Sequence, residues 1–287
     1  MGCIENARGD KLATYTWRPP GHPRGLVFLS HGYAEHLGYY EDLAVLLRDQ
    51  GYLVFGHDHV GFGRSGGDWG GAVDYQYYID DIVQHVEQQA KYHPRHPLFL
   101  VGYAMGATVA VLASQQRPEL FSGAVLNSVI TEPPESAAAM IKLVGLTLGK
   151  IAPRVGYTSP NFASISRNES FVAAIQADPL YYSAQTQAGT AREYLRVVQA
   201  LRASRAEVTV PLLLLHGTQC ALHPLQSAQE LYDSVASSDK TLKKFQNAYC
   251  NVFQELDAVR TQAMQDALAW ITDHDTKWGG YGYHLIG

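Results

Sequence analysis

Cysteine is scarce in this chain: Cys3, Cys220 and Cys250 are all that its 287 residues contain. So few thiols make no disulfide framework and suit a reducing compartment, so the expected localisation is cytoplasmic. None stands in a C-x-x-C spacing, and the reading calls for no metal and no cofactor. Basic clusters are missing as well. The formal net charge is -5, which leaves no basic footprint for nucleic acid. No apolar run reaches the length of a membrane span. The opening MGCIENARGDKLATY lacks the apolar core of a secretory signal. It does carry Gly2 and Cys3, the pair used in myristoylation with adjacent palmitoylation. The sixth position is Asn6 rather than Ser or Thr, so the motif is incomplete. A frayed terminus is expected there, with lipid-mediated membrane association as the alternative. No internal repeats are visible.

What is present is apolar and periodic. Hydrophobic residues make up 46% and charged residues 17%, enough for a sizeable core in one large domain with an inserted sub-domain. Near-continuous apolar strands, GLVFLSHG (25–32), the start of YLVFGHDHVGFGRS (52–65) before its glycine-rich loop, PLFLVG (97–102), FSGAVLNSV (121–129) and VPLLLLHG (210–217), alternate with helical spacings at 38–51, 77–93, 105–116, 225–236 and 257–273. A further strand is expected at 240–248. This is an α/β pattern: a mostly parallel central sheet covered by helices on both faces, with sites where the strands end in glycine turns. The rhythm breaks between 130 and 208. That excursion carries its own helices, at about 132–153 and 189–205, and reads as a helical cap over a site or against a membrane. The core is then 1–129 with 209–275. The tail 276–287, rich in glycine and aromatics, is assigned no fold.

LFLVGYAMGATVAVLAS (98–114) reads as strand, glycine turn and helix, the shape of a G-x-S-x-G nucleophile elbow. Both glycines stand in place, at Gly102 and Gly106. The nucleophile position is Ala104, whose methyl group cannot attack a carbonyl.

With these parts together the chain resembles an α/β-hydrolase, and more closely the monoacylglycerol lipase family, over about residues 10–273. SHGYAEHLGYYEDLAVLL resembles the family's oxyanion loop and following helix, VFGHDHVGFGRSGG the next glycine-rich loop, and GYAMGA its G-H-S-M-G-G elbow. SRNES and ADPL match landmarks of its cap. VPLLLLHGTQCALHP and SSDKTLKKFQNAYCNVFQEL match the segments bearing its catalytic acid and histidine. The resemblance puts Ala104 at the nucleophile, Cys220 at the acid and Cys250 at the base, so all three triad members are replaced. Tyr103, before the nucleophile position, is changed too. It also implies an oxyanion hole from the backbone N–H groups of Tyr33 and Met105, with Glu35 and His36 retained in the loop. Asp58, His57 and His59 fall where the family uses such residues for loop architecture.

Several functions fit these replacements. The first is a pseudoenzyme that keeps the pocket and binds an apolar or acyl-bearing lipid, with the family's acyl hydrolysis absent. The second is a repurposed enzyme: a thiol-dependent esterase or acyltransferase using Cys220 or Cys250, with His31, His216 or His223 as substitute base, or a non-hydrolytic lyase or isomerase. The third is an interaction protein whose cap meets a membrane or partner. Cys220 and Cys250 are expected to be neighbours, as a disulfide, a metal site with His223, or two inert thiols filling volume. The inert thiols are favoured, because an acid and a histidine reach each other through longer side chains and their Cα atoms can lie beyond the roughly 7 Å bridging limit. A serine-to-alanine change alone would be laboratory inactivation. The additional changes point to natural divergence or a rebuilt site.

Overall fold

A computed structural model describes residues 1–71 and 73–276. The chain runs β1 (Gly2–Glu5), β2 (Lys11–Trp17), β3 (Gly25–Ser30), α1 (Glu41–Asp49), β4 (Tyr52–His57), α2 (Tyr75–Tyr92), β5 (Leu98–Tyr103), α3 (Met105–Gln116) and β6 (Gly123–Asn127). It then leaves the sheet through α4 (Glu135–Leu146), α5 (Leu148–Ile151), β7 (Gly156–Thr158), α6 (Glu169–Ala177), β8 (Thr186–Gln187) and α7 (Ala188–Ser204). It returns as β9 (Leu212–Gly217), α8 (Leu225–Ser234), β10 (Lys240–Phe245) and α9 (Asp257–Asp275). Eight strands form one sheet in the order β1-β2-β4-β3-β5-β6-β9-β10. The two N-terminal strands pair antiparallel and the others parallel. The terminus expected to fray is instead the edge strand β1, paired from Gly2 to Glu5 with β2. From residue 277 the tail lies outside the described residues. No helix among the described residues is long and apolar enough to cross a membrane.

Strands β3 to β6 and β9 are buried along their whole length because both faces are covered. In β3, Leu26 and Phe28 join a core with Ile79, Ile82 and Val86 of α2 and Val109 of α3. Their neighbours Val27 and Leu29 point the other way, into a core with Leu43 and Leu47 of α1 and Met264 and Ile271 of α9. The period of two thus fills both layers from one strand. The chain passes from β3 to β4 on one side and then to β5 on the other, so the loops after β3 and β5 diverge at a topological switch point. Ser30 pairs with Gly102, which brings the loop from His31 beside the turn from Tyr103.

Histidines fill part of this core as neutral side chains. Nδ1 of His57 lies 3.1 Å from Nδ1 of His85, and both rings meet Phe28 edge-on. His31 donates from Nδ1 to the Gly32 carbonyl and accepts the His59 backbone N–H at Nε2, at 2.7 and 2.8 Å. Burial pulls His31 and His85 down to about 4 and His57 and His59 well below their ordinary value. His216 and His223 are lowered by the same cause. Each is protonated more readily unfolded than folded, so its contribution is present above about pH 6.5 and is lost as pH falls. Burial raises Asp81 to about 6 and Glu35 to about 7, which acts in the opposite sense over the same interval. Six groups outweigh two. Urea unfolding at pH 7 and pH 5.5 should show a loss on the order of 1 kcal/mol per histidine, partly offset by the two carboxylates. His85→Leu should reduce that slope. Stability that is flat or rises on acidification would show that these rings are not held neutral.

Candidate functional site

The turn after β5 is an elbow in the full geometric sense. Ala104 sits at φ 48 and ψ -113, a region that costs a side-chain-bearing residue on the order of 1–3 kcal/mol. Its N–H bonds the Asn127 carbonyl at 2.9 Å and its carbonyl accepts the Thr108 N–H at 3.0 Å, so the strained residue is pinned from both sides. Gly106 allows the turn to press against β3: a Cβ there would lie 2.2 Å from the Ser30 carbonyl oxygen. Met105 opens α3, so its N–H has no acceptor within the helix.

Above the elbow is a cavity of about 390 Å³, within the usual range for small-molecule sites. Tyr33, Glu35, Tyr103, Ala104, Met105 and His223 all line it. His36 does not. Its Nδ1 accepts the Gly38 N–H and its Nε2 donates to Asp178 at 2.8 Å, so the expected ligand contact is instead a tie between the loop and the excursion. Asp58 is architectural, accepting the Leu37 and Arg64 N–H groups at 2.9 Å each. His31 and His216 are spent on packing and backbone bonds at strand ends. The excursion supplies the cavity's other wall and is fastened down by several bonds. Tyr182 N–H donates to the Ala34 carbonyl at 2.9 Å, and Arg167 pairs with buried Glu255 at 3.0 Å. SRNES earns its place here: Ser166 bonds the Gln254 carbonyl and Asn168 caps α6.

Glu35 is 1% exposed. Its carboxylate accepts from the Gly32 N–H at 3.1 Å, the Tyr40 hydroxyl at 2.7 Å and the Asn251 amide at 3.4 Å. These bonds favour the anion, but burial dominates and pushes the group up to about 7. Asn251, which also receives a bond from the Asn127 amide, was not singled out from sequence. Nor were the cavity's tyrosines, apart from Tyr33 and Tyr103. Tyr33, Tyr75, Tyr78 and Tyr103 come from the core and Tyr157, Tyr181, Tyr182 and Tyr194 from the excursion. Their one sequence signal was abundance, 18 tyrosines in the chain.

Cys220 and Cys250 are joined as a disulfide, with Cα atoms 4.5 Å apart. The expectation of separate, inert thiols is therefore corrected. The loops after β9 and β10 approach closely, and Gly217 permits the approach: a Cβ there would fall 1.8 Å from the Tyr249 carbonyl oxygen. Thr218 and Gln219 donate backbone bonds to the Phe245 and Ala248 carbonyls at 3.0 and 2.9 Å, which zips the loops together. Both sulfurs are consumed, so neither residue offers a thiolate, and the thiol-enzyme alternative loses its nucleophile. Among the described residues no group of three metal-ligating side chains exists either.

The comparisons agree with this geometry. The family model described as "Serine aminopeptidase, S33" matches residues 21–257. The chain belongs to this α/β-hydrolase family. Within it, monoglyceride lipase of Rattus norvegicus is 35% identical over 94% of this chain and 89% of its own. Monoglyceride lipase of Homo sapiens is 34% identical over 96% and 91%. Monoacylglycerol lipase of Mycolicibacterium smegmatis (strain ATCC 700084 / mc(2)155) is 32% identical over 93% and 94%. A soluble variant of monoglyceride lipase from Saccharomyces cerevisiae superposes with a TM-score of 0.87 at 21% identity, covering 96% of this chain and 94% of its own, which establishes the shared fold. This α/β-hydrolase is monoglyceride-lipase-like along nearly its whole length.

The bridge closes a loop with a sequence separation of 30 residues. Replacing both cysteines by serine should lower stability by about 3 kcal/mol in guanidinium unfolding. Thiol titration of the denatured, unreduced chain should count Cys3 alone. Three titrating thiols would refute the bridge.

Proposed function

We propose that this α/β-hydrolase does not hydrolyse esters by a serine triad and instead binds an apolar, acyl-bearing small molecule between its sheet and the 130–208 excursion. One observation carries the reading: the elbow is built around Ala104 while the two partner positions are locked in one covalent bond. A methyl group has no lone pair to attack with, and a disulfide sulfur is no base. Losing a triad leaves at most the modest effect of binding and oxyanion stabilisation. The backbone N–H groups of Tyr33 and Met105 would serve as donors to a bound carbonyl oxygen rather than to a developing oxyanion. The apolar lining would hold the chain of the ligand.

The excursion also offers a surface. Met140, Leu143 and Leu146 on α4 are 44%, 66% and 52% exposed, and Ile151 at the end of α5 is 81% exposed. Exposed Lys142 and Lys150 lie among them. Apolar side chains interleaved with lysine fit the interface of an anionic bilayer, through which a lipid ligand would reach the cavity. Sedimentation with vesicles of phosphatidylcholine and phosphatidylserine should pull the chain down, and Leu143→Glu with Ile151→Glu should release it. Equal sedimentation of the double variant would remove this surface from the proposal.

The purified chain should show no turnover of nitrophenyl esters or 1-monooctanoylglycerol above a buffer control, and native mass spectrometry should retain a bound monoacylglycerol. Turnover by the chain as it stands would overturn the inactive reading. The combined Ala104→Ser, Cys220→Asp, Cys250→His variant should regain ester hydrolysis if the cavity and backbone donors are still aligned for acyl transfer. Failure of a folded triple variant would mean that the site has diverged beyond the triad.

A further inference from the structure

Charge is distributed one-sidedly around the cavity. Among the described residues no lysine or arginine lines it, while eight tyrosine rings and two carboxylates do. One carboxylate is already compensated: Glu193 lies 2.6 Å from Arg196 Nη1, and Arg192 Nε is 3.8 Å away. Arg196 in turn sits over the Tyr75 ring, 5.2 Å from its centroid, so a cation already rests on a tyrosine at the edge of this lining. Glu35 is different. Its three partners, the Gly32 N–H, the Tyr40 hydroxyl and the Asn251 amide, are neutral donors.

Tyr103 stands beside that carboxylate. A point 2.8 Å from the Tyr103 ring, where a Cβ on Gly32 would be, is also 3.2 Å from Glu35 Oε2. Tyr181 lines the cavity from the excursion side, its ring centroid 6.2 Å from that of Tyr39. An uncompensated carboxylate, several aromatic rings and no competing cation form the chemistry that recognises ammonium groups. We propose that this cavity takes an organic cation, an amine or quaternary ammonium with an apolar body, its head held between Glu35 and the rings of Tyr103 and Tyr181. The inference rests on the reading of the cavity as a ligand site and narrows the ligand's class. A carboxylate ligand would instead place its charge against Glu35. An ester or ether oxygen on the cation satisfies the Met105 N–H without adding negative charge.

The proposal carries a pH signature. Glu35 faces Tyr39 and Tyr40 from the turn before α1, Tyr103 from β5, Tyr181 from the excursion and Asn251 from the loop after β10. The phenols are all raised, further from the neutral range. His223 is held neutral by burial, and Asp178 is occupied by His36 and Tyr39. Glu35 is then the wall group that ionises near neutrality, at about 7. A bound cation favours the ionised form, so affinity rises with pH and binding releases a proton.

The test is calorimetric titration with three eight-carbon probes, octyltrimethylammonium, 1-monooctanoylglycerol and octanoate, at pH 6, 7 and 8. The cation should bind about tenfold more tightly at pH 8 than at pH 6, following the ionised fraction of a group at about 7, and should exceed octanoate at pH 8. Its proton release should appear as a heat that depends on the buffer. Glu35→Gln should abolish both the slope and the preference, while Tyr103→Phe, which keeps the ring, should retain them. If Glu35→Gln does not fold, the slope and proton release of the unaltered chain decide. Monooctanoylglycerol binding as tightly as the cation, or a cation affinity without pH dependence, would overturn the cation proposal and leave the acyl-binding reading standing. Octanoate binding best, and weakening as pH rises, would overturn it in favour of an acid. No binding of any probe would remove the ligand-site reading itself.

Discussion

Everything at the candidate site depends on one strained residue. Ala104 holds a left-handed backbone at the end of β5, and such strain persists only when the surroundings over-determine it. Here they do. The Asn127 carbonyl holds its N–H, the first turn of α3 takes its carbonyl, and Gly106 lets the turn press on Ser30 and His31. A serine on such a turn is exposed for attack, which explains the strain in an enzyme. With alanine there the strain has no chemical use, yet the turn still directs the start of α3 into the cavity. The strained elbow is therefore held by the packing around it, and it shapes a floor for the cavity.

The disulfide continues the same logic across the sheet. The loops after β9 and β10 meet above its far half, and in an acyl hydrolase an acid and a histidine span that meeting point through a hydrogen bond that orients the imidazole. Between Cys220 and Cys250 the contact is covalent and buried. It fixes its neighbours in the two loops. Cys220 Sγ receives the His223 N–H at 3.3 Å, and Ser128 donates to the Cys250 carbonyl at 2.7 Å. Asn251, next in the chain, reaches Glu35. A catalytic dyad has to move a proton, whereas a staple has only to hold loops in place. The residues around this one are arranged for holding.

The sheet was legible because both its faces are buried. Strands such as Leu98–Tyr103 and Leu212–Gly217 are buried at every position and almost wholly apolar, a signal that survives without an alignment. Strand β2 was missed although Leu12, Thr14 and Trp17 are buried along it in near alternation, because polar residues between them dilute the pattern. Helix α6 was missed because it is short and starts from a side-chain cap on Asn168 rather than from periodicity. The three replaced triad positions could be read from motif and resemblance. Their bridging could not, since it turns on a Cα separation of 4.5 Å between residues of two loops, a distance that no spacing encodes. The tyrosine wall was hidden for a related reason: half of it comes from the excursion, and only the folded chain brings it opposite the loop after β3.

Catalysis itself supplies the reason why these features belong together. An enzyme gains nothing in turnover by holding its substrate as firmly as its transition state, so a working lipase site is limited in how well it can complement a resting ligand. Removing the nucleophile removes that limit. A carboxylate shut away from water with only neutral donors opposes any negative charge brought beside it. It is a good feature of a receptor, where its unmet charge becomes affinity for a complementary head. Glu35 stands without a cation beside an elbow that carries no nucleophile, and under the proposed function that unmet charge is what the cavity offers a ligand.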